Sequence, residues 1–223
     1  MINSLSHRSG YPCLGKNIYL NQASLGLLSD KTVAEMTEFL NTVARYGNLK
    51  MTDKEEARFL DPLRGNVSRL LQAKPENIAI LASSSELLSQ VPKLCSPEPN
   101  SKIILVSTDF PSITRPWLAT EQTSDLEICF VNEVANTDLT QTIIENIDSN
   151  TSVVCVSYVQ FASGTRIDVK KLTKYTKKVG AKLVIDVTQA AGAIPINLSE
   201  WSADILVCSG YKWLGGHGGG AFG

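Results

Sequence analysis

Two residues of this sequence join a reactive side chain to a place where water is scarce. Lys212 stands in Ser209-Gly210-Tyr211-Lys212-Trp213, directly after the apolar run Ile205-Leu206-Val207-Cys208. An amine crowded by aromatic rings tends to lose its proton, and a neutral amine attacks carbonyl carbon. Asp186 breaks the run Leu183-Val184-Ile185 at the point where a strand leaves its sheet. A carboxylate there is partly desolvated and needs a cationic partner. Ser83-Ser84-Ser85-Glu86 has the composition of a helix start, where free N–H groups and the helix dipole attract phosphate and small hydroxyls add donors. Each residue also has a plainer use: a surface lysine whose stem lies along Trp213, a turn carboxylate, an N-cap. Taken singly, none of the three decides between the two readings.

Other chemistry-bearing patterns are weaker. The glycine tract at 215–220 allows close backbone approach. It does not fit G-x-G-x-x-G after a first strand with an acid about 20 residues on, and no Lys-Ser/Thr follows it as in a P-loop. A nucleotide-binding α/β domain is therefore the disfavoured alternative. Cys13, Cys95, Cys129, Cys155 and Cys208 are scattered without a CxxC pair, and Cys129, Cys155 and Cys208 sit in strand-like apolar runs as small hydrophobes. Two histidines, His7 and His217, are too few for a multi-histidine metal site.

The elements that must position these groups alternate between helix and strand. Ser29-Asp30 caps a helix to Tyr46, ended by Gly47. Thr52-x-x-Glu55 is a capping box opening a second helical stretch toward Ala73, which Pro62 kinks or splits. Strands are expected at 18–20, 78–82, 102–107, 126–131, 152–159, 182–187 and 204–209. Helices are expected at 84–94, from about 112, at 138–147, and at 169–179 with Gly180 as the stop. Several of the strands are near-continuous apolar runs, suited to burial on both faces of a mainly parallel sheet. The expected fold class is α/β, a three-layer sandwich with helices on both faces of the sheet. Ligands in such sheets lie at the carboxyl ends of the strands.

Composition narrows the function. The 223 residues carry 21 Lys+Arg against 22 Asp+Glu, a net charge of −1. Nucleic acid is thus no default partner. No apolar run approaches the roughly 18–20 residues of a membrane span. The segment 1–17 lacks the apolar region of a signal peptide, and with cysteines scattered without a CxxC pair a reducing, cytoplasmic setting is expected.

Lys212 follows Asp186 by 26 residues. If their strands run parallel, both groups emerge on the same edge of the sheet. A phosphate-friendly helix start, a buried acid and a lysine together meet the needs of pyridoxal 5′-phosphate (PLP). The lysine holds its aldehyde as a Schiff base, the carboxylate keeps its pyridine nitrogen protonated, and a flat side chain covers the ring.

The segments YLNQASLGLL, LASSSELL, STDFPSITRPW, VSYVQFASGTRIDVKKL, KLVIDVTQAAGAIPINL and ADILVCSGYKWLGGHGGGAFG resemble, in that order, the class V aminotransferase family of PLP enzymes of fold type I, which includes cysteine desulfurases, kynureninases and isopenicillin N epimerase-like proteins. The resemblance implies Lys212 as the Schiff-base lysine and Asp186 as the partner of the pyridine nitrogen. Gln189 would bond the cofactor's phenolic oxygen. Ser84 and Ser85 would be the hydroxyl pair at the phosphate, with Ser209 and Tyr211 beside them. Phe110 would stack on the ring, and the 21–24 loop would enter the substrate side. Phe110 stands where desulfurases usually have His and cannot do acid–base work, which argues toward the kynureninase-like or epimerase-like branches. Phe161 replaces an Asn that many relatives place beside the cofactor oxygen.

The resemblance further implies a PLP-dependent enzyme acting on an amino acid, aminotransferase-like or lyase-like, and a homodimer. A kynureninase-like hydrolase, a cysteine desulfurase, and a relative that keeps the fold without turnover are the alternatives. Residues 1–17 would be an N-terminal segment and 18–223 an incomplete PLP-binding large domain. The small C-terminal domain, expected to carry the substrate-carboxylate arginine and, in desulfurases, a reactive cysteine, would be missing.

Overall fold

A computed structural model describes residues 7–223, so that the first six residues of the 1–17 segment lie outside the described residues. Ser29 accepts from Thr32 N to start α1 (Asp30–Tyr46), and Gly47 ends it. The Thr52/Glu55 capping box opens α2 (Asp53–Ala57). Pro62, in the first turn of α3 (Asp61–Leu71), marks the split in that stretch. There follow β1 (Ile80–Leu81), α4 (Ser84–Cys95), β2 (Lys102–Val106), α5 (Pro111–Glu121), β3 (Glu127–Val131), α6 (Leu139–Glu145), β4 (Thr151–Ser157), α7 (Val169–Val179), β5 (Lys182–Asp186), α8 (Leu198–Trp201), β6 (Ile205–Ser209) and β7 (Ala221–Phe222).

The strands form one sheet in the order β1-β7-β6-β5-β4-β2-β3. The pairs from β3 through β6 are parallel, and β7 joins β6 and β1 antiparallel. Successive side chains of a strand point to opposite faces, and here both faces are covered. Ile104, Val106, Val154, Val156, Leu183 and Ile185 pack with Ile143 and Leu172 of α6 and α7. Their alternates Ile103, Leu105, Val153, Cys155, Val184 and Val207 pack with Leu88, Ile113 and Trp117 of α4 and α5. This is the three-layer arrangement expected from the doubly buried runs, and it fixes where the strand ends point.

Several expectations are corrected. The segment at 18–20 is not a strand: Ile18 and Leu20 are 86% and 89% exposed, and the chain runs as a strap whose Tyr19 hydroxyl donates to Leu25 O at 2.8 Å. The strand at 78–82 shrinks to Ile80–Leu81, the two residues opposite Phe222 and Ala221 of β7. Cys129 is only half-buried, because β3 is the outer strand of the sheet. The short α8, capped by Asn197, was not foreseen.

Candidate active site

β4, β5 and β6 are adjacent and parallel, so their last residues, Ser157, Asp186 and Ser209, come out on one edge. Ser157 and Asp186 are register partners. The N-terminus of α4 faces the same edge, where the Ser84 and Ser209 hydroxyls lie 2.6 Å apart. Beyond β6 the chain turns and brings Lys212 back over these ends. Two contacts from the strap hold that turn: Gly26 N donates to Tyr211 O at 2.7 Å, and Gln22 Nε2 donates to Lys212 O at 2.9 Å. Gly26 is required by this close approach, since a Cβ there would overlap the Lys212 carbonyl oxygen.

The two groups that sequence reasoning singled out share one cleft. Asp186 is 7% exposed. Burial pushes its carboxyl from an ordinary 3.8 up to about 6, against the opposing effect of hydrogen bonds from Thr188, whose backbone N–H donates at 2.7 Å. Lys212 is likewise 7% exposed, and burial lowers the pKa of its amine. Among the described residues neither takes part in an ion pair. The expected cationic partner of Asp186 is thus not in contact with it. Lys212 Nζ lies 5.4 Å from the centroid of the Phe110 ring and 5.9 Å from that of Tyr211.

Phe110 and Phe161 line the cleft as an edge-to-face pair with centroids 5.4 Å apart. Both are partly solvent-exposed, at 38% and 44%. With Lys212 lining the same cleft, the remaining free volume is about 20 Å³, room for about one water. A flat ring stacked on Phe110 would occupy the space now held by the lysine's end. Seating it requires that amine to withdraw or react.

Gln189 lines the cleft with both ends of its amide engaged. Its Oε1 accepts from Trp213 Nε1 at 2.8 Å, and its Nε2 donates to Ala23 O at 2.9 Å. Tyr211 also lines the cleft. Ser85 does not: it is exposed, and its hydroxyl pairs with Ser112 of α5 at 2.7 Å. The 21–24 loop reaches the site through Gln22 and Ala23. Cys155 and Cys208 are buried, and burial raises both thiols far from thiolate chemistry.

Asp109 was missed. It is 5% exposed and accepts from Phe110 N at 2.7 Å, Ser157 N at 2.7 Å, Ser157 Oγ at 2.6 Å and Gln160 Nε2 at 3.1 Å. It bolts the end of β2 to the end of β4 and fixes the backbone that carries Phe110. Its signal was the one that marked Asp186, an acid at the end of an apolar run. Thr188, which holds Asp186 and accepts from Ser209 N at 3.0 Å, was also missed.

The donor set fits a flat, phosphorylated, aldehyde-bearing heterocycle. It offers an amine with lowered basicity, a buried acid lacking a counter-charge, paired hydroxyls at a helix start and a partly exposed ring. Among the described residues no cluster of three His, Cys, Asp or Glu suits a metal ion, and no helix is long and apolar enough to cross a membrane.

Known proteins with this arrangement can be compared directly. The family profile described as Aminotransferase class-V matches residues 18–222. The uncharacterized aminotransferase YcbU of Bacillus subtilis is 24% identical over 97% of this chain, and kynureninase 2 of Neurospora crassa 27% over 95%. The chain spans about half the length of these relatives, 57% and 49%. Among solved structures, the apo cysteine desulfurase of Thermococcus onnurineus NA1 superposes with a TM-score of 0.84 at 24% identity, covering 96% of this chain and 55% of that one. A C-DES variant with glycine covalently linked to its PLP cofactor superposes at 0.87 with 16% identity, covering 97% and 58%.

Proposed function

Because the chain belongs to the aminotransferase class-V family, we propose that its cleft binds PLP and that the protein acts on an amino acid, in an aminotransferase-like or lyase-like reaction. When bound, the cofactor supplies an aldehyde that condenses with amines and a ring that takes up electrons from the amino-acid Cα. Lys212 is the residue to hold that aldehyde, because burial favours its neutral, nucleophilic amine. Lys212 Nζ would also be the base placed to accept a proton from the amino-acid Cα and return it. Asp186 holds a proton at the ring nitrogen, which supplies the positive charge its buried carboxylate now lacks. Ser84, Ser209 and the α4 N-terminus bind the phosphate, with Tyr211 beside them and Ser85 reaching it only by leaving Ser112. Phe110 covers the ring, positioned by Asp109. Gln189 donates to the phenolic oxygen.

The observation that carries this reading is the meeting of Lys212 and Asp186 in one narrow cleft, both buried and, among the described residues, neither ion-paired. A homodimer in a reducing cytoplasm belongs to the same proposal; the reducing setting is supported by five cysteines that are all free. Loading the chain with PLP should give an absorbance band near ~420 nm that borohydride bleaches, with the added mass on the peptide containing Lys212. Lys212→Ala should lose both signals; a variant that stays yellow and takes up reduced label elsewhere refutes the assignment.

A further inference from the structure

Gln189 can donate to a ligand oxygen only if its amide faces the cleft with nitrogen and not with oxygen. An amide group has no intrinsic preference between two orientations related by a flip, so its neighbours must decide. Here two neighbours do, and they agree. The indole nitrogen of Trp213 only donates, and it lies 2.8 Å from Oε1. The carbonyl of Ala23 only accepts, and it lies 2.9 Å from Nε2. Flipping the amide would set donor against donor and acceptor against acceptor. The second hydrogen of Nε2 is left for the cleft that Gln189 lines with Asp186 and Lys212. Trp213 is itself held in place: Gly192 packs so tightly beneath it that a Cβ there would stand 2.7 Å from the Trp213 carbonyl oxygen.

We propose that Trp213 is a positioning residue that locks the Gln189 amide, so that the cleft presents a fixed N–H donor to an anionic ligand oxygen, the phenolic oxygen of PLP. This rests on the proposed cofactor, and the same amide ties the site to the loop carrying Ala23.

The test has two arms. In the 15N-labelled ligand-free chain, the three tryptophans give three indole N–H signals, and Trp213→Phe identifies the one of interest by its loss. Gln189→Leu should move that signal alone, leaving those of Trp117 and Trp201 in place. In the second arm PLP is titrated. Trp213→Phe and Gln189→Leu should each weaken binding about tenfold, as loss of a hydrogen bond to a charged group does, and the double variant should be no weaker than either single one. An unmoved indole signal, wild-type affinity in Trp213→Phe, or factors that multiply in the double variant overturns the proposal. Should Trp213→Phe fail to fold, the three-signal spectrum of Gln189→Leu still decides. A wild-type chain that forms no band with PLP sinks the cofactor reading instead, and the ligand-free arm is unaffected by that failure.

Discussion

Removing the negative charge from Asp186 should stabilise the ligand-free protein while weakening its grip on PLP. The carboxyl is buried, receives backbone help only from Thr188, and has no ion-pair partner among the described residues. Raised from 3.8 to about 6, it carries a penalty of about 3 kcal/mol on its ionised form. The fold favours the protonated acid, so the contribution to stability is fully present below pH 3.8 and is lost as the pH rises through about 6. By pH 5 roughly half of that loss has already occurred, and by pH 8 all of it. Asp186→Asn keeps an oxygen for the Thr188 N–H and does not ionise. Its stability relative to wild type should therefore grow by about 1.5 kcal/mol between pH 5 and pH 8. The comparison cancels any fixed difference between an amide and a protonated acid. Urea unfolding of both ligand-free proteins across that range measures it. PLP should reverse the order, because a protonated ring nitrogen supplies a counter-charge to the wild-type carboxylate and none is needed by the amide. A difference that stays flat with pH, or that falls as pH rises, refutes the idea that Asp186 is an uncompensated buried charge.

Three further outcomes are expected from the same contacts. Gly26→Ala drives a Cβ into the Lys212 carbonyl and separates the strap from Tyr211 O and Lys212 O. It should lower stability by about 2 kcal/mol and slow formation of the ~420 nm band; a wild-type urea midpoint would contradict it. Asp109→Asn turns one acceptor into a donor, set against Ser157 N and Gln160 Nε2 in one orientation of the amide and against Phe110 N in the other. A loss of about 2–4 kcal/mol is expected in the same unfolding assay, and Asp109→Ala should be at least as damaging. Phe110→Ala removes a ring that is already 38% exposed, so stability should change by less than about 1 kcal/mol. PLP affinity should drop several-fold on titration, and equal affinity would remove Phe110 from the ring's face.

The parts of this molecule that could be read from its sequence are those governed by local repetition. Runs such as Ile103-Ile104-Leu105-Val106 and Val153-Val154-Cys155-Val156 are apolar at every position because helices cover both sheet faces. Once those strands are parallel, the meeting of Asp186 with the chain beyond Ser209 is a matter of geometry. What could not be read is the strap. Gln22 and Lys212 are 190 residues apart, and a contact made through one side-chain amide and one backbone carbonyl leaves no periodic trace. The 18–20 segment even imitates a strand, since Ile18, Tyr19 and Leu20 have strand-like composition but find no neighbouring strand to pair with. Ser85 shows a related limit: helix geometry puts it one residue from Ser84, yet that step turns it toward Ser112 and away from Ser209. Asp109 was legible by the criterion that found Asp186, an acid at the end of an apolar run. The difference between the two acids lies in their partners. Asp109 accepts four hydrogen bonds and is spent on structure, whereas the Asp186 carboxylate accepts one backbone bond and, among the described residues, forms no ion pair. Continuous apolar layers on both sheet faces let the fold carry a buried carboxylate at a strand end, and a positive charge brought to Asp186 would gain most there.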